Sequence, residues 1–250
     1  MSKTALIEAI KAFDLDAVKR NLAKDSTLTK WRSPQGFNLL QFCCSRCTDG
    51  DPAGAASQLR LAKWLVGQGF DPLVIYTTKA GEDGEEDPAD LSLVFFAVAR
   101  AQNNALARYF LKLGAAPGAM FAAAWWGNYE IARDLVAHGE DVNRLVGGTP
   151  LHMAIGVLDR GTAGKPDLAQ RRLRMVKTLL DLGANPNIPG ARDETPLHTA
   201  LEKGYDVSVF RLLLKHGADP DRPGKTGRSV RDIAARKKDQ RYINVITQRR

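Results

Sequence analysis

Apolar residues recur along this chain at helical spacing. Ile131, Leu135 and Val136 form one such run; Leu173, Val176, Leu179 and Leu180 form another; Val209, Leu212 and Leu213 a third. Each run stops at a glycine, Gly139, Gly183 or Gly217, which is able to take the left-handed conformation that closes a helix. Shorter amphipathic segments precede two of the runs and open with Thr149-Pro150-Leu151-His152-Met153-Ala154 and Thr195-Pro196-Leu197-His198-Thr199-Ala200. Threonine is a good N-cap, and proline at the first helical position loses an N–H that has no partner there anyway. Leu151 and Ala154, like Leu197 and Ala200, then share one face of a short helix. The pattern predicts pairs of short helices, repeated, in an all-α chain.

The repeat has a period. Gly183 and Gly217 lie 34 residues apart, and the unit ends alike in His138-Gly139-Glu140-Asp141-Val142-Asn143, Gly183-Ala184-Asn185-Pro186-Asn187 and His216-Gly217-Ala218-Asp219-Pro220. With the T-P-L-H-x-A start, this resembles the ankyrin repeat, a unit of about 33 residues of turn, helix and helix. Weaker copies fit the same frame. Residues 92–114 align without a gap on 195–217. Ala123-Ala124-Trp125-Trp126-Gly127 replaces A-A-x-x-G, and Asn38-Leu39-Leu40-Gln41-Phe42-Cys43 is a degenerate T-P-L-H-x-A. The resemblance implies a solenoid of about seven helix-turn-helix repeats with short or missing β-hairpins, approximately residues 4–35, 36–76, 91–117, 118–146, 147–192, 193–226 and 227–250. It reads as one domain over 1–250, leaving no separate catalytic domain. The first and last repeats present polar caps.

Departures from the period mark where such a chain keeps its individuality. Extra residues at 48–57 and 159–170 fall between the two helices of repeats 2 and 5 and are expected to form loops. The hairpin segment 77–90 is over-long and acidic, and expected to be mobile. Between Gly114 and Gly118 only Ala115-Ala116-Pro117 remains, so the hairpin there must be lost or much shortened.

Composition adds charge. The net charge is +8, unevenly spread. Nine basic residues against Asp232 and Asp239 fill 225–250, and Glu82, Asp83, Glu85, Glu86, Asp87 and Asp90 crowd one stretch. No apolar run approaches the roughly 18 residues of a membrane span, and no signal-peptide core is legible, so a cytoplasmic location is expected. Cys43, Cys44 and Cys47 lie too close together for a disulfide framework. Cys44 and Cys47 make a lone C-x-x-C without a second pair to complete a zinc site, while Cys43 takes the small-residue position of Ala154 and Ala200. No H-E-x-x-H, G-x-S-x-G or phosphate loop occurs, so catalytic, metal and cofactor roles are expected to be absent. In the ankyrin family the histidine of T-P-L-H is structural; the resemblance implies that for His152 and His198, together with Thr149, Pro150, Leu151, Thr195, Pro196 and Leu197.

The expected function is protein binding through the concave groove and loops, as an adaptor, scaffold or modulator. Trp125 and Trp126 stand at variable groove positions, Arg100 holds one of these a repeat earlier, Arg144 and Leu145 begin the next finger, and Arg171 and Arg172 open the following second helix. Aromatic residues and arginine dominate interface hot spots. The basic neighbours imply a partner protein with an acidic surface; a monomer is the expected state. The alternative is nucleic acid or another anionic surface on the basic C-terminal repeat, which has Tyr242 as its only aromatic and lacks interleaved stacking residues.

Overall fold

In a computed structural model, residues 3–77, 90–158, 166–190 and 193–247 are described. They group into two compact units, Met1–Ala119 and Met120–Arg250. The first unit holds α1 (Lys3–Lys11), α2 (Leu15–Lys24), α3 (Leu39–Cys43), α4 (Pro52–Gly67), a two-stranded finger of β1 (Tyr76–Thr77) and β2 (Asp90–Leu91), α5 (Leu93–Phe96) and α6 (Asn104–Lys112). The second holds α7 (Met120–Trp126), α8 (Tyr129–Ala137), α9 (Pro150–Gly156), α10 (Pro166–Asp181), α11 (Pro196–Glu202), α12 (Val207–Lys215), α13 (Val230–Lys237) and α14 (Gln240–Thr247).

Each repeat is a helix pair, and pairs stack within a unit. α7 packs on α9, α9 on α11 and α11 on α13, while α8 packs on α10 and α12 on α14. In the first unit α1 packs on α3, and α4 on α6. Leu6, Ile10, Leu39, Leu61, Leu93, Leu106 and Phe110 are fully buried in one unit, and Ile131, Leu135, Leu151, Val176, Leu179, Leu197, Phe210 and Leu213 in the other. The finger is antiparallel, pairing Tyr76 with Leu91 and Thr77 with Asp90. The acidic residues at 78–89 lie outside the described residues. Residues 115–119 carry no regular structure, matching the shortened hairpin.

The start and stop signals act by identifiable hydrogen bonds. Thr149 caps α9 while the His152 ring accepts from the Thr149 N–H at 3.1 Å; Thr195 and His198 repeat this on α11. T-P-L-H is thus a capping box with histidine in the place usual for Glu or Gln. The same box is built by Asn38 with Gln41 and by Ser229 with Asp232. At the other end Gly69, Gly114, Gly139, Gly183 and Gly217 all sit at φ near +90°. The next residue's N–H then returns to a carbonyl five back, as from Ala184 to Leu179 at 2.9 Å.

Three expectations need correction. The extra residues at 48–57 and 159–170 are not wholly loops, because Pro52 and Pro166 each begin a 16-residue helix. Proline is preorganised for the first helical turn, Asp51 caps the Gly54 N–H at 2.8 Å, and the residues beyond each proline extend the second helix backward. Leu173, assigned to the core stripe of α10, is 40% exposed. The inward face is instead Arg172, Met175, Val176 and Leu179, so Arg172, assigned to a binding surface, is buried at 3%.

Repeat 3 lacks the glycine that would close its first helix. Gly127 and Gly204 close theirs at φ +68° and +66°, but the aligned residue in repeat 3 is Ala101. The chain there runs one residue further as a π turn over Ala97–Ala101, and Gln102 takes φ +50°, a conformation that its Cβ makes costly.

Candidate interaction surfaces

In the second unit, α7, α9 and the finger between them form a cleft of about 290 Å³, lined by Phe121, Val146, Thr149, His152, Met153 and Val157. α7 has no side-chain cap of its own; the buried Glu140 carboxylate accepts from the Met120 N–H at 2.8 Å and holds the helix start. Phe121 and Trp125 are four apart on α7 and therefore share a face. Trp125 and Trp126 are half-buried. Gly127 ends the helix where a Cβ would stand 2.9 Å from the Arg172 backbone nitrogen, so α7 and α10 approach backbone to backbone.

The finger beside this cleft is apolar at its tip. Leu145 is 58% and Val146 60% exposed, and Arg144 beside them is exposed too. A side-chain ladder sets the finger's direction. The Asn143 carboxamide donates to Gly183 O at 3.2 Å and accepts from the Asn185 N–H at 2.7 Å. Asn187 repeats both bonds to Gly217 and Asp219. Of the expected contact residues, the fold therefore brings Trp125, Trp126, Arg144 and Leu145 to one unit. Arg171 is half-buried in the second turn of α10, whereas Arg172 turns inward and donates to the Val157 carbonyl at the end of α9. Arg100 belongs to the first unit. Sequence reasoning missed Phe121, Val146 and Met153; the i, i+4 spacing of Phe121 and Trp125 was the signal for the first.

His152 is half-buried and His198 buried, each at a helix start. Since the His152 Nδ1 accepts from Thr149, Nε2 carries the proton and donates to Glu194 O at 2.9 Å. His198 bridges in the same way to Arg228 O at 3.3 Å. Burial pushes the His152 pKa below its ordinary value, with the bond to Glu194 partly opposing. Both rings are spent on backbone, with Gly190 and Gly224 closely beneath their Nε2 atoms.

Cys43 and Cys44 are fully buried, and burial raises the Cys43 thiol to about 12 and Cys44 well above its usual range. The thiolate needed for nucleophilic or metal chemistry is thereby suppressed; the Cys43 thiol donates to Gln58 O. Among the described residues no three His, Cys, Asp or Glu side chains are placed to hold a metal ion, and no helix is long and apolar enough to cross a membrane. In the basic C-terminal repeat Arg241 pairs with Asp239, and Arg231 pairs with Asp221 of the repeat before it, which partly offsets the local positive charge. Arg236, Lys237 and Lys238 are exposed.

Residues 168–248 match the family described as ankyrin repeats (3 copies). Zygote-specific protein 3 of Chlamydomonas reinhardtii is 42% identical over 69 residues, 28% of this chain and 18% of that protein. Human ankyrin repeat and SOCS box protein 11 is 33% identical over 113 residues, 44% of this chain and 30% of that protein. The matched segments thus span less than a third of either relative. The crystal structure of the human ASB11 ankyrin repeat domain superposes with a TM-score of 0.70 at 24% identity, covering 100% of this chain and 98% of that one. Residues 168–248 thus carry ankyrin repeats by sequence, and the chain has the ankyrin-repeat fold. Ankyrin repeats are general protein–protein interaction modules, which assemble extended binding faces from side-by-side units.

Proposed function

We propose that this chain is an adaptor, scaffold or modulator that binds a partner protein through the groove and finger of its second unit. The observation that carries this reading is the joining of an apolar cleft, Phe121, Met153 and Val157, to a finger tip whose Leu145 and Val146 are more than half exposed. Water-exposed aliphatic pairs beside an aromatic-lined hollow are the composition of a contact patch that a partner covers. The half-buried Trp125 shares the Phe121 face of α7, and the exposed Arg144 beside Leu145 gives the finger positive charge, which suits an acidic partner surface. The groove is rigid, held by capping boxes and the asparagine ladder, so little ordering entropy opposes binding.

The test is quantitative affinity capture with the full chain and with Leu145→Asp/Val146→Asp. Both side chains are exposed, so the variant should keep its melting temperature. Loss of a central hot spot costs about 2 kcal/mol, or roughly 30-fold in affinity, and binding should weaken as salt rises. A partner retained with equal affinity by the double variant would rule out this surface.

A further inference from the structure

The first unit gathers aromatic rings at the base of its β1–β2 finger. Phe37 is central, 5.5 Å from Phe96 and 6.3 Å from Phe42, both nearly perpendicular, and 4.4 Å from Tyr76. Trp31 lies 5.4 Å from Phe42. Phe96 is buried, while Trp31, Phe37, Phe42 and Tyr76 keep part of their surface in water. Phe37, Phe42 and Phe96 wall a cleft of about 180 Å³, closed by Gln41, Ser45 and Arg100.

Two hydrogen-bond donors of this cleft are unused by the fold. Arg100 is exposed and lies over Phe96 and Phe37, its Cζ 5.5 and 5.8 Å from their centroids. Among the described residues no carboxylate pairs with it. Gln41 is only 4% exposed, and its orientation is dictated. The Asn38 N–H requires an acceptor and takes Oε1 at 2.8 Å, so the amide nitrogen is what Gln41 has left to offer. That nitrogen has no partner among the described residues. The nitrogen keeps contact with water through the cleft, where a ligand oxygen can take the water's place.

The lining therefore stacks, donates and carries positive charge. An oxygen anion beside an apolar group complements it. At about 180 Å³ the cleft is smaller than the roughly 300–1,000 Å³ of small-molecule sites, and suits one anchoring side chain of a larger partner. We propose that this cleft captures an acidic side chain flanked by a large apolar residue, presented by an extended segment of a partner protein. The carboxylate meets the Arg100 guanidinium and the Gln41 Nε2, and the apolar neighbour lies on Phe37 and Phe42. This stands apart from the second unit's surface and does not depend on it.

The discriminating variant is Gln41→Glu. Glutamate satisfies the Asn38 N–H in the same capping box, so the helix start is kept, while the donor facing the ligand becomes a negative acceptor. The probe is an array of labelled heptapeptides with a central Glu flanked by Leu and Phe, matched with peptides carrying Gln in its place. The full chain should prefer Glu peptides at least tenfold. Gln41→Glu and Arg100→Gln should each abolish that preference with unchanged melting temperature, and Leu145→Asp should leave it intact. Absence of a Glu preference, or its survival in both variants, overturns the proposal. So does tighter peptide binding after neutralising Glu82, Asp83, Glu85, Glu86 and Asp87, which would make the chain's own acids the occupant. Self-association lost in Gln41→Glu would equally assign the cleft to a second copy.

Discussion

Gln58→Leu is the substitution whose cost is most directly readable from the structure. Gln58 is fully buried on α4. Its Nε2 donates to Cys43 O at 2.8 Å and Arg46 O at 3.2 Å, and its Oε1 accepts from Asn103 Nδ2 at 2.9 Å and, more weakly, from Thr48 Oγ1 at 3.5 Å. Thr48 in turn donates its N–H to Ala101 O at 2.8 Å, so the network ties the loop after α3 to the π turn that carries Arg100. Leucine has similar volume and leaves no cavity of consequence, so the loss isolates the polar term. Asn103 keeps a bond to Ala55 O at 3.0 Å, and the carbonyl of exposed Arg46 can turn to water. The Cys43 carbonyl, however, loses its side-chain donor in a dry place. With one or two groups stranded at about 1–3 kcal/mol each, the expected loss is about 2–4 kcal/mol. Urea unfolding followed by circular dichroism should show a lower midpoint with an unchanged slope. Hydrogen exchange should place the loss in α3, α4 and the π turn. A change below about 1 kcal/mol would falsify the view that this network, and not apolar packing alone, fixes the first unit's cleft wall.

Three further outcomes are expected. Gly127→Ala places a Cβ 2.9 Å from the Arg172 backbone at φ +68°; the left-handed penalty and overpacking together should cost about 2–4 kcal/mol, measured by thermal melting, and a neutral effect would refute close α7–α10 contact. His152 has a folded pKa below its unfolded value, so its contribution to stability is present above the unfolded pKa of about 6.5 and lost as pH falls below it. His152→Gln, which keeps the capping box, should flatten the melting-temperature profile between about pH 7.5 and 5, and an unchanged slope would refute the assignment. Asn187→Leu removes both ladder bonds at a part-exposed site and should cost about 1 kcal/mol, with faster amide exchange at Asp219, whose N–H the ladder holds.

The repeat itself is legible in the string of residues. Period, T-P-L-H starts and terminal glycines are local signals, because capping and left-handed closure depend on residues within a few positions of each other. The capped helix pairs come from those residues. The structural role of His152 and His198 is implied by the family resemblance, and their Nε2 bonds to Glu194 and Arg228 exist only once the repeats stack. The direction of each side chain is a different matter and was set by packing. Arg171 and Arg172 are indistinguishable in the string, yet packing of α10 against Gly127 turned Arg172 inward to Val157 and left Leu173 in water. The extra residues of repeats 2 and 5 looked like loops until stacking gave their prolines a helix to begin. Gln41 read as a degraded motif position; only the closing of its capping box beneath three phenylalanine rings made its amide a donor to a cleft. Local chemistry fixes where helices start and stop, but a surface is composed of residues distant in sequence, and their juxtaposition exists only once the helices have packed.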